Sequence, residues 1–136
     1  ANITGSRSGG PLASAWAVMN YLGEEGYLRI FAAQRDIKHR LMAGIADIDG
    51  LEIIARPHAL HFFFRARDFD IFAVETGMAE KGWAATRAEQ PASIMLWVNM
   101  SHQQVGKEYL QDLRDVVAGV RAGRIKAGGD QAVYVM

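Results

Sequence analysis

A chain of 136 residues and 15.0 kDa has the usual size of one small domain and can bury about two-thirds of its unfolded surface. Half of the residues are hydrophobic and 22% are charged, and the 15 basic and 15 acidic side chains balance. This composition excludes a largely disordered chain, and it provides no net charge that would attract nucleic acid or an anionic membrane. The absence of cysteine excludes disulfides, thiolate metal sites and thiol nucleophiles, and it fits a cytoplasmic protein.

No apolar run approaches the roughly 20 residues of a membrane helix, so we expect no membrane span. The first residue is Ala1, within a Gly/Ser-rich stretch. We therefore expect the chain to be part of a longer protein.

Residues 1–10 predict a Gly/Ser loop, and residues 11–48 predict two helices. The first begins at Pro11 and ends near Gly23. Because this helix is apolar almost all round, we expect it to be buried between layers or against another chain. The second begins near Gly26 and ends at Gly50. Its predicted inward residues follow helical spacing: Ile30, Ile37, Leu41, Ile45 and Ile48. Its predicted solvated face carries charged residues: Arg29, Arg35, Asp36, Lys38 and Arg40.

Residues 51–120 predict a core of strands and helices, followed by an extended tail over 121–136. Strands are predicted at 51–55, 60–65 and 93–98, and helices at 70–81 and 103–120. Asp70 is the predicted N-cap of the first of these helices, and Gly82 its left-handed C-terminal cap. Side chains expected in the core include those of Phe62–Phe64, Met95 and Trp97. The order predicts an α+β fold, with a small, mostly antiparallel sheet of three to four strands, helices on one face and a long helix before it.

Most candidate catalytic groups have an ordinary structural interpretation. The four histidines, His39, His58, His61 and His102, lack the spacing of helical zinc ligands, so no metal site is expected. The serines lack the surroundings of a hydrolase nucleophile.

The loop before the first helix has better chemistry for an anion. Thr4–Gly10 combines hydroxyls, one guanidinium and available amides beside the positive end of a helix. A phosphate site and a plain Gly-rich linker are both compatible with this spacing.

Several ordered motifs resemble group II pyridoxal-phosphate decarboxylases and their relative, sphingosine-1-phosphate lyase. The segment Thr4–Leu28 resembles the one that follows the cofactor lysine in these enzymes. Further similarities to the lyase branch occur in the same order: Asp68–Phe72, Glu80–Trp83, Gln90–Ile94, His102 and the final QAVYVM. Two positions differ from the family pattern, since Met95 stands where His is frequent and Ser8 where Pro is frequent. These differences leave the substrate open.

The resemblance implies that residues 1–136 form the C-terminal small domain of a fold-type I enzyme. Its pyridoxal phosphate would be held as a Schiff base by a lysine of a large domain outside this chain, so we expect no catalytic residue here. Ser6 matches a serine that reaches the cofactor phosphate of the partner subunit, with Gly5, Arg7 and Gly9 shaping the loop. The implied partners are the large domain, a second copy in a homodimer, and an amine or amino-acid substrate.

Three functions remain open from the sequence. The parent enzyme is either a carbon–carbon lyase acting on a phosphorylated long-chain amino alcohol or related amine, or an amino-acid decarboxylase of the glutamate, tyrosine or aspartate type. The third possibility is a non-catalytic module that dimerises through residues 11–23.

Overall fold

The computed structural model describes residues 8–128, which form three helices and four strands. In chain order these are α1 (Gly9–Ala46), β1 (Leu51–Ile54), β2 (His61–Ala66), α2 (Ile71–Glu80), β3 (Thr86–Glu89), β4 (Ala92–Trp97) and α3 (His102–Arg121). The chain divides into two compact units, residues 1–33 and 34–136. Within the described residues, no helix is long and apolar enough to cross a membrane.

The first unit contains most of the helix α1, which is interrupted at Gly23. The backbone there is non-helical, with φ 59° and ψ −178°. The sequence correctly predicted that the first helix ends near Gly23. The helix begins at Gly9, two residues before the predicted start at Pro11. It resumes directly after Gly23, before the predicted second start at Gly26.

Side chains of this part of α1 are exposed in this chain. Trp16 is 66% exposed, and Ile30, a predicted inward residue, is 37% exposed. Burial of residues 11–23 against another chain stays a prediction.

The second unit is built on an open antiparallel sheet in the order β1-β2-β4-β3. At its centre Phe64 of β2 lies opposite Ile53 of β1 and Ile94 of β4. Successive side chains of a strand point to opposite faces, so these three share the core face. The α+β fold class with four strands is therefore confirmed.

Strand β3 is absent from the strands predicted along the sequence. Its four residues, TRAE, contain a buried arginine and no alternating apolar pattern, which explains why the hydrophobic period does not reveal it.

One hydrophobic core joins the sheet to α2, α3 and the part of α1 that belongs to the second unit. Its buried residues are Ile37, Leu41, Ile45, Ile48, Leu51, Phe62, Phe64, Ile71, Val74, Met78, Ile94, Leu96, Val98, Tyr109, Leu113, Val116 and Val117. The predicted inward positions Ile37, Leu41 and Ile45 are thus confirmed. Ile48 is buried too, but it follows the end of α1 at Ala46.

The predicted caps of α2 are present. A side-chain oxygen of Asp70 accepts a hydrogen bond from the backbone nitrogen of Phe72 at 2.8 Å. After the helix, Gly82 adopts φ 89° and its amide donates to the carbonyl of Ala79. These contacts satisfy helix-end groups that have no partner within the helix.

Two side chains lie on a different side from the one predicted. Lys38, expected on a solvated face, is only 3% exposed, whereas Trp97, expected in the core, is 59% exposed. Trp97 belongs to the sheet face opposite Leu96, so it points away from the core.

Candidate functional site

The predicted phosphate loop meets the described structure at the start of α1. Gly5, Ser6 and Arg7 lie outside the described residues, so their roles stay predictions. Gly9 is the first residue of α1, and a Cβ built on it would meet nothing within 4 Å. Among residues 8–128, therefore, no neighbouring atom requires a glycine at this position.

The described start of α1 is chemically compatible with an anion. The amides of a first helical turn have no acceptor within the helix, and here the turn contains no acidic side chain. The amide of Gly10 is 3.4 Å from Ser8 Oγ, at the limit of hydrogen bonding. Helix starts of this kind favour an anion by charge and by donor type, and binding of a cofactor phosphate here stays a prediction.

Two of the four lysines donate hydrogen bonds within the fold. Lys38 Nζ donates to the carbonyl oxygens of Pro57 and Ala59, at 2.9 and 3.0 Å. Lys81 Nζ donates to Asp112 at 2.6 Å. Lys107 and Lys126 are exposed on the surface. The two engaged amines stabilise contacts within the fold, while the location of the cofactor lysine outside this chain stays a prediction.

The histidines do not come together. His39 and His58 are exposed, His61 lies on β2, and His102 begins α3. Among residues 8–128, no cluster of three or more His, Asp or Glu side chains is placed to hold a metal ion.

The outer face of the sheet is its side opposite the core, and its two central strands carry an aromatic group there, at the start of β2 and the end of β4. His61 and Trp97 face each other across β2 and β4, with ring centroids 4.7 Å apart and planes tilted by 36°. His61 also meets the edge of Phe63, at 6.2 Å between centroids. In β2, more buried and less buried residues alternate, which identifies the outer face. From the sequence, the aromatic content of β2 and β4 favoured placing these side chains in the core.

A groove next to Trp97 is lined by side chains that include Trp83, Met95 and Val105, and it extends to the start of α3. There, Asn99 Oδ1 accepts hydrogen bonds from the amide of Ser101, at 3.0 Å, and from its hydroxyl, at 2.5 Å. Nδ1 of His102 lies 3.0 Å from the same oxygen. The polar cluster fixes the first turn of α3 beside an apolar groove.

An ion pair with an additional indole contact fixes the end of α2 to α3. Asp112 accepts from Lys81 and, at 2.8 Å, from the indole nitrogen of Trp83. The hydrogen bond from Lys81, followed by that from Trp83, lowers the pKa of the Asp112 carboxyl. The same bond to Asp112 raises the pKa of Lys81. This arrangement positions Trp83 against the ring of Tyr109, whose pKa is raised by burial.

Comparison with known proteins finds homologous segments in two groups of enzymes. No family model matches the chain. It is 37% identical over 134 residues to a sphingosine-1-phosphate lyase of Oryza sativa subsp. japonica, covering 97% of this chain and 25% of that protein. A solved sphingosine-1-phosphate lyase of Burkholderia pseudomallei K96243 superposes with a TM-score of 0.84 at 32% identity, over 89% of this chain and 28% of that one.

A second branch of relatives is more distant. The chain is 26% identical over 119 residues to a probable L-tyrosine/L-aspartate decarboxylase of Methanothermobacter thermautotrophicus, covering 88% of this chain and 32% of that protein. The chain is homologous to a part of sphingosine-1-phosphate lyases and group II decarboxylases. It spans about a quarter of the length of the lyases that it matches. These matches confirm the resemblance stated from the sequence, while the cofactor-loop residues stay predictions.

Proposed function

We propose that this chain is the C-terminal small domain of a pyridoxal-phosphate-dependent carbon–carbon lyase that cleaves a phosphorylated long-chain amino alcohol or a related amine. The parent enzyme would carry the cofactor lysine on its large domain. The observation that carries this proposal is the superposition on a solved sphingosine-1-phosphate lyase at 32% sequence identity.

The relatives support the lyase branch over the decarboxylase branch. Identity to plant sphingosine-1-phosphate lyases reaches 37% and 38%, whereas the two archaeal decarboxylases are 26% and 25% identical. The decarboxylases still align with 88% and 87% of the chain, so decarboxylation of an amino acid is the second candidate.

In this proposal the chain supplies binding and closure. Ser6 would donate its hydroxyl to the cofactor phosphate of a second copy, and Gly5, Arg7 and Gly9 would shape the loop that presents it. Each such charge-assisted hydrogen bond contributes about 1.5–3 kcal/mol. When bound, pyridoxal phosphate supplies an electron sink for cleavage next to the amino-bearing carbon.

The proposed partners are a large domain and a second copy of the chain. Apolar side chains exposed on α1, among them Trp16 at 66% and Leu12 at 68%, are compatible with a surface covered in a homodimer. We also propose a cytoplasmic location, supported by the cysteine-free composition.

The parent enzyme tests the function directly. Purified with pyridoxal phosphate, it should release a long-chain aldehyde from a sphingoid phosphate and leave aspartate, glutamate and tyrosine unchanged. Release of carbon dioxide from an amino acid without aldehyde formation would establish the decarboxylase instead.

The isolated chain provides a matched control for the origin of the lysine. Mixed with pyridoxal phosphate, it should not develop the visible absorbance that the parent shows. A band that requires one of the chain's own lysines contradicts the proposed division between the domains.

A further inference from the structure

The strand β3 leaves one edge of the sheet open among the described residues. In the order β1-β2-β4-β3 it pairs with β4 alone, so the backbone groups of its alternate residues point away from the sheet. Natural edge strands are commonly shielded by charged side chains. Here Arg87, one of the charged residues of β3, is turned inwards to Glu75, with 2.9 Å between Nε and Oε2. The edge is therefore available to a further strand.

The residues that follow α3 lead the chain across α2. Ile125 lies against two glycines, because a Cβ built on Gly77 of α2 or on Gly119 of α3 would lie 3.2 Å or 2.7 Å from its Cδ1. Three residues later, the amide of Gly128 donates to the hydroxyl of Thr76 at 3.0 Å. The glycines thus make room for Ile125, and Thr76 fixes the last described residue.

Thr76 also connects this point to β3. Its hydroxyl accepts from Nη2 of Arg87 at 3.3 Å and donates to the carbonyl of Phe72 at 2.9 Å. One hydroxyl therefore donates once and accepts twice, from Arg87 and from Gly128, which uses its full hydrogen-bonding capacity. The described part of the chain ends beside the side chain of a β3 residue.

The sequence after this point has the composition of a strand. Residues 129–136 lie outside the described residues, and the last six of them are QAVYVM. Valine and tyrosine favour strands, and these six positions contain no proline or glycine. Six extended residues span about 20 Å, compared with about 13 Å for the four residues of β3. Length and composition therefore match the open edge.

We propose that the open edge of β3 is the docking site of the chain's own last six residues, QAVYVM, which add a fifth strand to the sheet. The connection to Gly128 favours this occupant over a second copy or a large domain. Only residues 129–130 separate the segment from its anchor, so its effective concentration at the edge is on the order of millimolar. A separate chain or domain must compete with this tethered segment.

Hydrogen exchange of the full 136-residue chain, followed by NMR, tests the docking. Val133→Pro/Tyr134→Pro removes two successive amides, one of which faces β3 in any alignment. The β3 amides that point away from β4 should then exchange at least about tenfold faster than in the wild type. Amides of β4 that pair with β2 should be unchanged, which shows that the fold is intact.

Val133→Thr/Tyr134→Thr is the matched control, because it keeps both amides and the preference for strands. It should keep the wild-type exchange rates of β3. Equal rates in the proline and threonine variants overturn the proposal.

Two comparisons identify the occupant. Docking within one chain does not depend on concentration, so dilution by about tenfold should leave the exchange of β3 unchanged. Protection that is lost on dilution would establish a second copy instead and overturn the proposal. The chain spans about a quarter of the matched lyases, so protection measured in the chain alone does not come from a large domain. An edge protected only in the parent enzyme would establish the large domain as the occupant and also overturn the proposal.

Discussion

Lys38 Nζ lies 2.9 Å from the carbonyl oxygen of Pro57, so a side chain predicted to be solvated instead anchors the connection between β1 and β2. The same amine reaches the carbonyl of Ala59 at 3.0 Å. Ala55, at the start of this connection, has φ 62°, which is unfavourable for a residue with a Cβ. The buried amine of Lys38 therefore stabilises a connection in which Ala55 has an unfavourable backbone conformation.

Replacement of Lys38 by methionine should destabilise the chain by about 2–3 kcal/mol, because two carbonyl groups lose a charged donor while the apolar stem is kept. Urea unfolding measures this change. Lys107→Met, at an exposed position of α3, should change the free energy of unfolding by less than about 0.5 kcal/mol. Equal urea midpoints for the two variants would show that the contacts of Lys38 do not stabilise the chain.

The buried pair of Glu75 and Arg87 should be sensitive to loss of one partner. The Nε of Arg87 donates to Glu75 Oε2 at 2.9 Å, and the two side chains are 10% and 2% exposed for Arg87 and Glu75. Arg87→Met should cost about 3–5 kcal/mol in thermal or urea unfolding, since it leaves a carboxylate unpaired in the interior.

The double variant Glu75→Leu/Arg87→Met provides the control for this pair. It removes both charges, so it should recover most of the stability lost by Arg87→Met. A double variant as unstable as the single one would show that the cost comes from packing around Arg87 and not from the unpaired charge.

Gly119 should tolerate alanine less well than Gly106 of the same helix. A Cβ on Gly119 would lie 2.7 Å from Cδ1 of Ile125, whereas one on Gly106 would lie 3.5 Å from Leu41 Cδ2, an ordinary contact. Gly119→Ala should displace the end of the Ile125 side chain and so lose most of the gain in helix propensity, whereas Gly106→Ala should gain about 0.5–1 kcal/mol through that propensity. Urea unfolding and the methyl chemical shifts of Ile125 measure both effects. A stabilised Gly119→Ala with unshifted Ile125 methyls would contradict this packing.

The Asp112 carboxyl should contribute to stability in a defined range of acidic pH. Its pKa is lowered in the folded chain, first by Lys81 and then by Trp83, so the folded state favours the ionised form. This contribution is complete above the ordinary carboxyl pKa of about 4 and is lost as the pH falls through the lowered value. When the pH is lowered from neutral to below that range, the free energy of unfolding should fall less in Asp112→Asn than in the wild type.

At alkaline pH, the dependence of stability on pH should come from Lys81. Its raised pKa means that the contribution of the protonated amine is present below the ordinary lysine value and is lost as the pH rises through the raised one. Glu108→Gln, at an exposed position of α3, should keep the wild-type profile at both extremes. Unchanged profiles for Asp112→Asn would refute the ion pair as their cause.

Hydrophobic period and capping chemistry predicted most of the fold. Asp70 and Gly82 delimit α2 through local hydrogen bonds and a left-handed turn, both of which depend on residue type at fixed positions. Strand β3 was missed, since its stability comes from pairing with β4 and from the Glu75–Arg87 contact, neither of which has a local pattern.

The candidate site was predicted less completely, because resemblance and not pattern named its residues. Helical spacing cannot show that Lys38 reaches across the chain to Pro57, nor that Trp97 lies on the outer face of the sheet. Both assignments depend on contacts between segments far apart in the sequence. The break at Gly23 was predictable as a helix end, while its unusual backbone angles were not.

The strand order β1-β2-β4-β3 makes the sheet two short-range hairpins joined along β2 and β4. Each hairpin is closed by a short loop. His61 of β2 and Trp97 of β4, by contrast, are separated in the sequence by α2 and β3, so their pairing closes a much longer loop. Loop closure favours the nearby pairings first. We therefore expect the seam between the hairpins to assemble last, and substitutions there to slow folding less than they speed unfolding.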